Sequence, residues 1–115
     1  MWLEIKKQLE IAIIKGTYKS AEKFPSINEI KDLYSCGNST AQKVLNVMYS
    51  EGTITKQKGI GYFVKPFVQN QLLERYTVEW KTHFIQDITE AKLLNISRKS
   101  IETIFEEQIA SIYSP

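Results

Sequence analysis

The stretch Pro25-SINEIKDLYSCGNSTAQKVLNVMYSE-Gly52 holds two helical patterns separated by a tight polar turn, and its reading decides the fold. Ser26 precedes the first pattern and Glu29 follows three residues later. This is the spacing of a capping box, in which each side chain satisfies the other residue's backbone amide. That helix is expected to run to about Tyr34. Ser35-Cys36-Gly37-Asn38 makes the turn, and a helix follows over Ser39 to Glu51, with Ala41, Val44, Leu45 and Met48 on its inward face. Gly52 ends it. Two helices joined by a few residues that include glycine, the second of them polar on one side, make a helix-turn-helix layout.

Upstream, Leu3, Ile5, Leu9, Ala12 and Ile13 recur mostly three or four apart among charged neighbours, an amphipathic helix that Gly16 stops. Thr17 to Phe24 reads as a connector. Downstream, the β-prone runs Thr53 to Lys58 and Tyr62 to Val64 flank Gly59-Ile60-Gly61, a hairpin whose glycines supply the positive φ that its turn needs. This hairpin is the wing. Pro66 then breaks the chain, dividing residues 1–66, a winged helix-turn-helix domain, from residues 67–115, a helical arm.

In the arm, a long helix is expected from Val68 to Leu94. At 100° per residue, Leu72, Leu73, Tyr76, Trp80, Phe84, Ile88, Ala91 and Leu94 fall within an arc of roughly 160°. Val78 and Ile85 make a second, narrow stripe outside it. Asn95-Ile96-Ser97 reads as a turn with Ser97 as cap, and Ile101, Ile104, Phe105, Ile109 and Ile112 mark a last helix to about Tyr113. Two helices alone cannot hide this much apolar surface. Either the winged helix or a second copy of the chain must cover it, and the second stripe argues for the copy. The fold class is therefore mainly α with a small β-hairpin: a winged helix-turn-helix followed by a two-helix antiparallel arm.

With 115 residues the chain has room for one compact core and a small appendage, but not for a large catalytic domain. Its net charge of +2 hides an asymmetry: residues 1–65 carry ten lysines against six acids, whereas residues 66–115 carry five bases against seven acids. Only the basic front half suits phosphate. One cysteine, Cys36, excludes an internal disulfide, and with a single histidine, His83, there is no ligand cluster for structural zinc. Cys36 reads as a small buried apolar residue and His83 as a helix-surface residue. The apolar runs are short and interrupted by charge, so neither a membrane span nor a signal peptide is expected, and the expected location is the cytoplasm.

The run from Ile5 to Val64 resembles the DNA-binding domain of GntR-family transcription regulators. Four motifs carry the likeness in order: Ile14-Lys15-Gly16-Thr17 closing the first helix, Phe24-Pro25-Ser26 opening the second, Glu51-Gly52-Thr53-Ile54 after the third, and Gly59-Ile60-Gly61-Tyr62-Phe63-Val64 in the wing. The short arm is similar to that of the YtrA-like branch, where two helices mediate dimerisation.

The resemblance implies a homodimeric repressor on double-stranded DNA, with the helix at 39–51 in the major groove of a palindromic operator and the wing at 53–64 along the minor groove. It assigns DNA contact to Ser26, Asn28, Asn38, Ser39, Thr40, Gln42, Lys43 and Asn46, and on the wing to Lys56, Lys58 and Gly59. The apolar pattern of the arm assigns that dimerisation to Leu72, Tyr76, Val78, Trp80, Phe84, Ile85 and Ile88 with Ile101, Ile104, Phe105, Ile109 and Ile112. Ser26 caps a helix whether or not it touches phosphate, and Asn38 suits either a cap or base readout. Lys56 and Lys58 suit either solvated strand positions or phosphate contact, and Tyr62 and Phe63 suit packing of the wing.

The family usually carries arginine where this chain has Asn28, Asn38 and Gln42, and no arginine precedes Arg75. Bidentate reading of guanine by arginine is thus absent, whereas Asn and Gln suit adenine, which points to an operator with A·T-rich contacts. The missing arginines also fit a second reading, a winged helix that has lost DNA binding and serves protein interaction. No metal, cofactor or membrane partner is expected. A nucleophile, base or metal constellation is absent from the pattern, which speaks against an enzyme. A small-molecule effector, if the protein has one, would sit where Tyr76, Trp80 and Phe84 meet a neighbour, although dimer packing accounts for the same aromatics.

Overall fold

The computed structural model describes residues 1–115. Its elements run α1 (Trp2–Ile14), β1 (Lys23–Phe24), α2 (Ile27–Tyr34), α3 (Asn38–Ser50), β2 (Ile54–Gln57), β3 (Gly61–Val64), α4 (Val68–Leu93) and α5 (Arg98–Ile112). The chain divides into two compact units, Met1–Arg75 and Tyr76–Pro115, with α4 running through the division.

The first unit is a winged helix-turn-helix built on one apolar core. Ile5, Leu9 and Ile13 of α1 meet Ile30 of α2 and the expected face of α3, Ala41, Val44, Leu45 and Met48, all buried. Leu3, which belongs to the same sequence pattern, is exposed because it lies off the packed stripe. The capping box forms as the spacing requires: Ser26 Oγ accepts the Glu29 N–H and Glu29 Oε1 accepts the Ser26 N–H, each at 3.2 Å.

The sheet holds one strand more than the hairpin alone. The segment expected to be a plain connector contributes β1, whose Lys23 and Phe24 pair with Phe63 and Tyr62 of β3. Strand order is β1-β3-β2, all antiparallel, with Ile54 opposite Val64 and Lys56 opposite Tyr62. Phe24 is buried against the helices, so burial of one side chain holds a two-residue strand that has no pattern of its own. Gly59 and Gly61 take φ of +79° and +137°, as the tight wing turn demands.

The first two turns of α4 also belong to this core: Val68 and Leu72 are buried in it. Periodicity groups Leu72 with the dimerisation face, but its surface is covered inside the first unit. A helical repeat reports which residues share a face and not what covers that face.

The second unit is the hairpin of α4 and α5, and Ser97 caps α5 by accepting the Ser100 N–H. Trp80 stacks on Phe84 at 5.5 Å between ring centroids, and Phe84 meets Phe105 at 5.4 Å. Beyond those rings the hairpin lacks a core. Tyr76, Phe84, Ala91 and Ile101 are half-buried, and every other residue from Thr77 onward is exposed. Trp80 and Ile88 of the broad arc, with Val78 and Ile85 of the second stripe, are thus apolar surface that two helices leave uncovered.

Candidate nucleic-acid interface

Helix α3 is inserted in the core by one side and presents the other. Ala41, Val44, Leu45 and Met48 point inward, and at 100° per residue Ser39, Gln42, Lys43, Asn46 and Ser50 fall within an arc of about 100° on the opposite side. Ser39, Lys43 and Asn46 are exposed; Thr40 and Gln42 are half-buried. Gln42 Nε2 donates to Asn46 Oδ1 at 2.8 Å. Lys43 Nζ lies 5.1 Å from the centre of the Trp2 ring, a cation–π contact that holds the ammonium beside the start of α1.

Asn38 is exposed and is the first residue of α3, whose N-cap is Gly37 with no side-chain cap bond. The capping role open to Asn38 on sequence grounds is therefore not taken, and its side chain does not close the helix.

At the start of α2, Asn28 is exposed and Ser26 half-buried. Ser26 Oγ accepts one hydrogen bond, which leaves its own O–H to be donated outward. The helix terminus favours an anion, but the Glu29 carboxylate of the capping box adds a negative charge at the same place. Burial first and then that carboxylate raise the Tyr18 hydroxyl above the usual tyrosine range. Tyr34 is raised as well, by burial and then by Tyr18. Cys36, in the turn between α2 and α3, is half-buried rather than buried; it packs against the core with its Sγ 3.9 Å from the Ile30 carbonyl oxygen.

On the wing, Lys56, Lys58 and Gly59 are all exposed, with Lys56 Nζ 5.7 Å from the Tyr62 ring centre. Tyr62 and Val64 are buried and Phe63 half-buried, so the wing aromatics pack rather than project. Pairing of β1 with β3 also brings exposed Lys23 beside the wing, its Cε close to Gly61. Sequence reasoning missed Lys23, because a two-residue strand leaves no periodicity to read.

In the second unit, Val78, Trp80, Ile85, Ile88, Ile104, Phe105, Ile109 and Ile112 are all exposed apolar residues. Phe84, Ile88, Ala91, Ile101, Ile104 and Phe105 line an open apolar groove of about 330 Å³. Among all 115 residues, no group of three or more His, Cys, Asp and Glu could hold a metal ion, and no helix is long and apolar enough to cross a membrane.

This arrangement recurs in known proteins. The chain is 30% identical over 74 residues to the HTH-type transcriptional regulator YurK of Bacillus subtilis, and 28% identical over 86 residues to the arabinose metabolism transcriptional repressor of Geobacillus stearothermophilus. These alignments take in 64% and 75% of this chain but only 31% and 24% of the two relatives, so the chain spans less than a third of either. Among solved structures, a GntR family transcriptional regulator from Listeria monocytogenes superimposes with a TM-score of 0.78 at 19% identity, covering 92% of each chain. YtrA from Sulfolobus acidocaldarius, a GntR-family transcription factor, matches at 26% identity and a TM-score of 0.52, over 98% of this chain and 90% of that one. The AraR DNA-binding domain in complex with operator ORX1 matches 55% of this chain and 76% of that one, at 24% identity and a TM-score of 0.52. Residues 2–64, more than half of the chain, match the bacterial regulatory proteins of the gntR family, and the chain belongs to that family.

Proposed function

We infer that this protein is a homodimeric transcription repressor that binds a palindromic, A·T-rich operator through α3 and the wing. The observation that carries this reading is the outward side of α3. It bears only polar side chains, stands clear of the core and shares its unit with a wing edged by Lys23, Lys56 and Lys58. Phosphate contact from those lysines, from the Ser26 hydroxyl and from Asn28 at the start of α2 would set the register. Asn38, Ser39, Thr40, Gln42 and Asn46 would meet base edges. Lys43 can swing from Trp2 to a phosphate, and Gly59 lets the wing backbone approach the minor groove closely.

Dimerisation is supported by the uncovered arm. Val78, Trp80, Ile85 and the α5 residues Ile104, Phe105, Ile109 and Ile112 present an apolar surface without a core beneath it, and a second copy brings the complementary surface at the same concentration. Residues 67–115 then act as the dimerisation arm and residues 1–66 as the DNA-reading domain. The relative from Geobacillus stearothermophilus is named a repressor, and the AraR domain was solved on an operator, which favours the same role here.

Footprinting of the purified chain on genomic DNA tests the proposal. The expected footprint is a palindrome whose half-sites lie about one or two helical turns apart, with affinity that falls steeply with salt. Alanine at Lys56 or Lys58 should lower the salt slope by about one. If no duplex is protected at low salt, the chain is instead a protein-interaction module built on the same fold.

A further inference from the structure

Gln42 and Asn46 lie one helical turn apart, and the hydrogen bond from Gln42 Nε2 to Asn46 Oδ1 at 2.8 Å clips the two amides together. The clip has a definite chemical remainder. Gln42 Oε1 keeps both lone pairs, and Asn46 Nδ2 keeps both N–H donors. An acceptor and a donor thus stand side by side on the outward side of α3, from its Gln42 edge inward and next to Ser39.

That pairing is the complement of one base edge in the major groove. Adenine offers a donor at N6 beside an acceptor at N7, whereas guanine offers acceptors at both O6 and N7. Guanine would set its O6 against Gln42 Oε1, two acceptors without a proton between them. Turning both amides over reverses the order, with Gln42 donating outward and Asn46 accepting, and adenine still fits.

We propose that Gln42 and Asn46 act as a single unit that reads one adenine, rather than as two independent base contacts. The inference rests on the DNA-binding reading above and goes beyond it by naming the base and the coupling. The clip matters because two free amides would each lose side-chain rotamer freedom on binding, whereas a pair already joined has met part of that cost in the free protein. It also predicts non-additivity, since removing either amide leaves the other misplaced.

The test uses the full chain, its Gln42→Ala and Asn46→Ala variants and the double variant, with duplexes that the unaltered chain selects from a random-sequence library. In those duplexes each adenine in turn is replaced by 7-deazaadenine, which lacks the N7 acceptor, or its pair is changed to G·C. One adenine position in each half-site is expected at which each replacement weakens binding of the unaltered chain about tenfold or more. That sensitivity should disappear in both single variants, and the double variant should bind no more weakly than either. Circular dichroism should show unchanged helix content in all three variants, separating base reading from mere helix support. Binding with losses that multiply in the double variant, or with no sensitive adenine, overturns the unit while leaving the DNA-binding reading intact. If the unaltered chain selects no duplex, the DNA-binding reading fails and this inference falls with it.

Discussion

Arg75 Nη2 sits 2.6 Å from Glu10 Oε2, and the Glu10 side chain is only 2% exposed. The first arginine in the sequence is thus committed to a carboxylate that α1 carries into the interior, and it ties the second turn of α4 to α1. Charge pairing here is structural. An isolated buried carboxylate is expensive, and the guanidinium, on a side chain that is 41% exposed, offsets that cost.

Arg75→Ala should therefore destabilise the chain by about 2–3 kcal/mol. This lies below the usual cost of breaking a buried pair, because water can reach the vacated place. Glu10→Gln should cost less, since a neutral amide can still accept from Arg75. Urea unfolding followed by circular dichroism measures both, and equal losses would contradict the asymmetry.

On the proposed DNA-binding reading, the capping box sets stability against DNA affinity. Ser26→Ala should lose about 1 kcal/mol through the broken cap. Glu29→Gln keeps an acceptor for the Ser26 amide and removes the negative charge at the α2 N-terminus. It should cost a few tenths of a kcal/mol in stability while tightening operator binding, most clearly at low salt. Unfolding curves and binding isotherms on the same preparations check the opposite signs.

Ile85→Glu and Val78→Glu place a charge on exposed apolar positions of α4 without touching the first unit's core. The unaltered chain is expected to sediment as a dimer and the variants as monomers, with operator affinity falling because the two half-sites are no longer held together. Sedimentation equilibrium reads the first effect. A monomeric unaltered chain would remove the basis of the dimer reading.

Tyr18 and Tyr34 hold their protons more tightly in the fold than in the unfolded chain. Above about pH 10 the unfolded chain releases those protons first, so stability is complete below that pH and declines as pH rises through the folded values. Absorbance titration of tyrosinate should show Tyr18 and Tyr34 ionising above the ordinary tyrosine range, and denaturant midpoints should fall as they do.

Much of this architecture is legible in the sequence because local chemistry and tertiary packing agree. Ser26 and Glu29 form the capping box that their spacing announces, and Ala41, Val44, Leu45 and Met48 are the buried face that their period requires. What sequence reading misses are contacts between segments far apart in the chain. Glu10 reads as an interruption of an apolar run, since its partner lies 65 residues away. Lys23 acquires a place beside the wing only when β1 pairs with β3. Leu72 belongs to an uninterrupted stripe, and nothing in the stripe marks where one unit's core ends.

The reach of Val68 and Leu72 into the first core means that the border of family likeness and the border of autonomous folding differ. A fragment ending at Val64, where the family match stops, would forfeit both buried side chains and the Glu10–Arg75 tie. At about 1.5–3 kcal/mol for each buried aliphatic side chain, that loss is comparable with the whole stability of a small domain. The arm's root is thus a strut of the winged helix, and the compact first unit ends at Arg75 rather than at Val64. A protease acting inside α4 ahead of Arg75 would unsettle the winged helix as well as detach the arm from it.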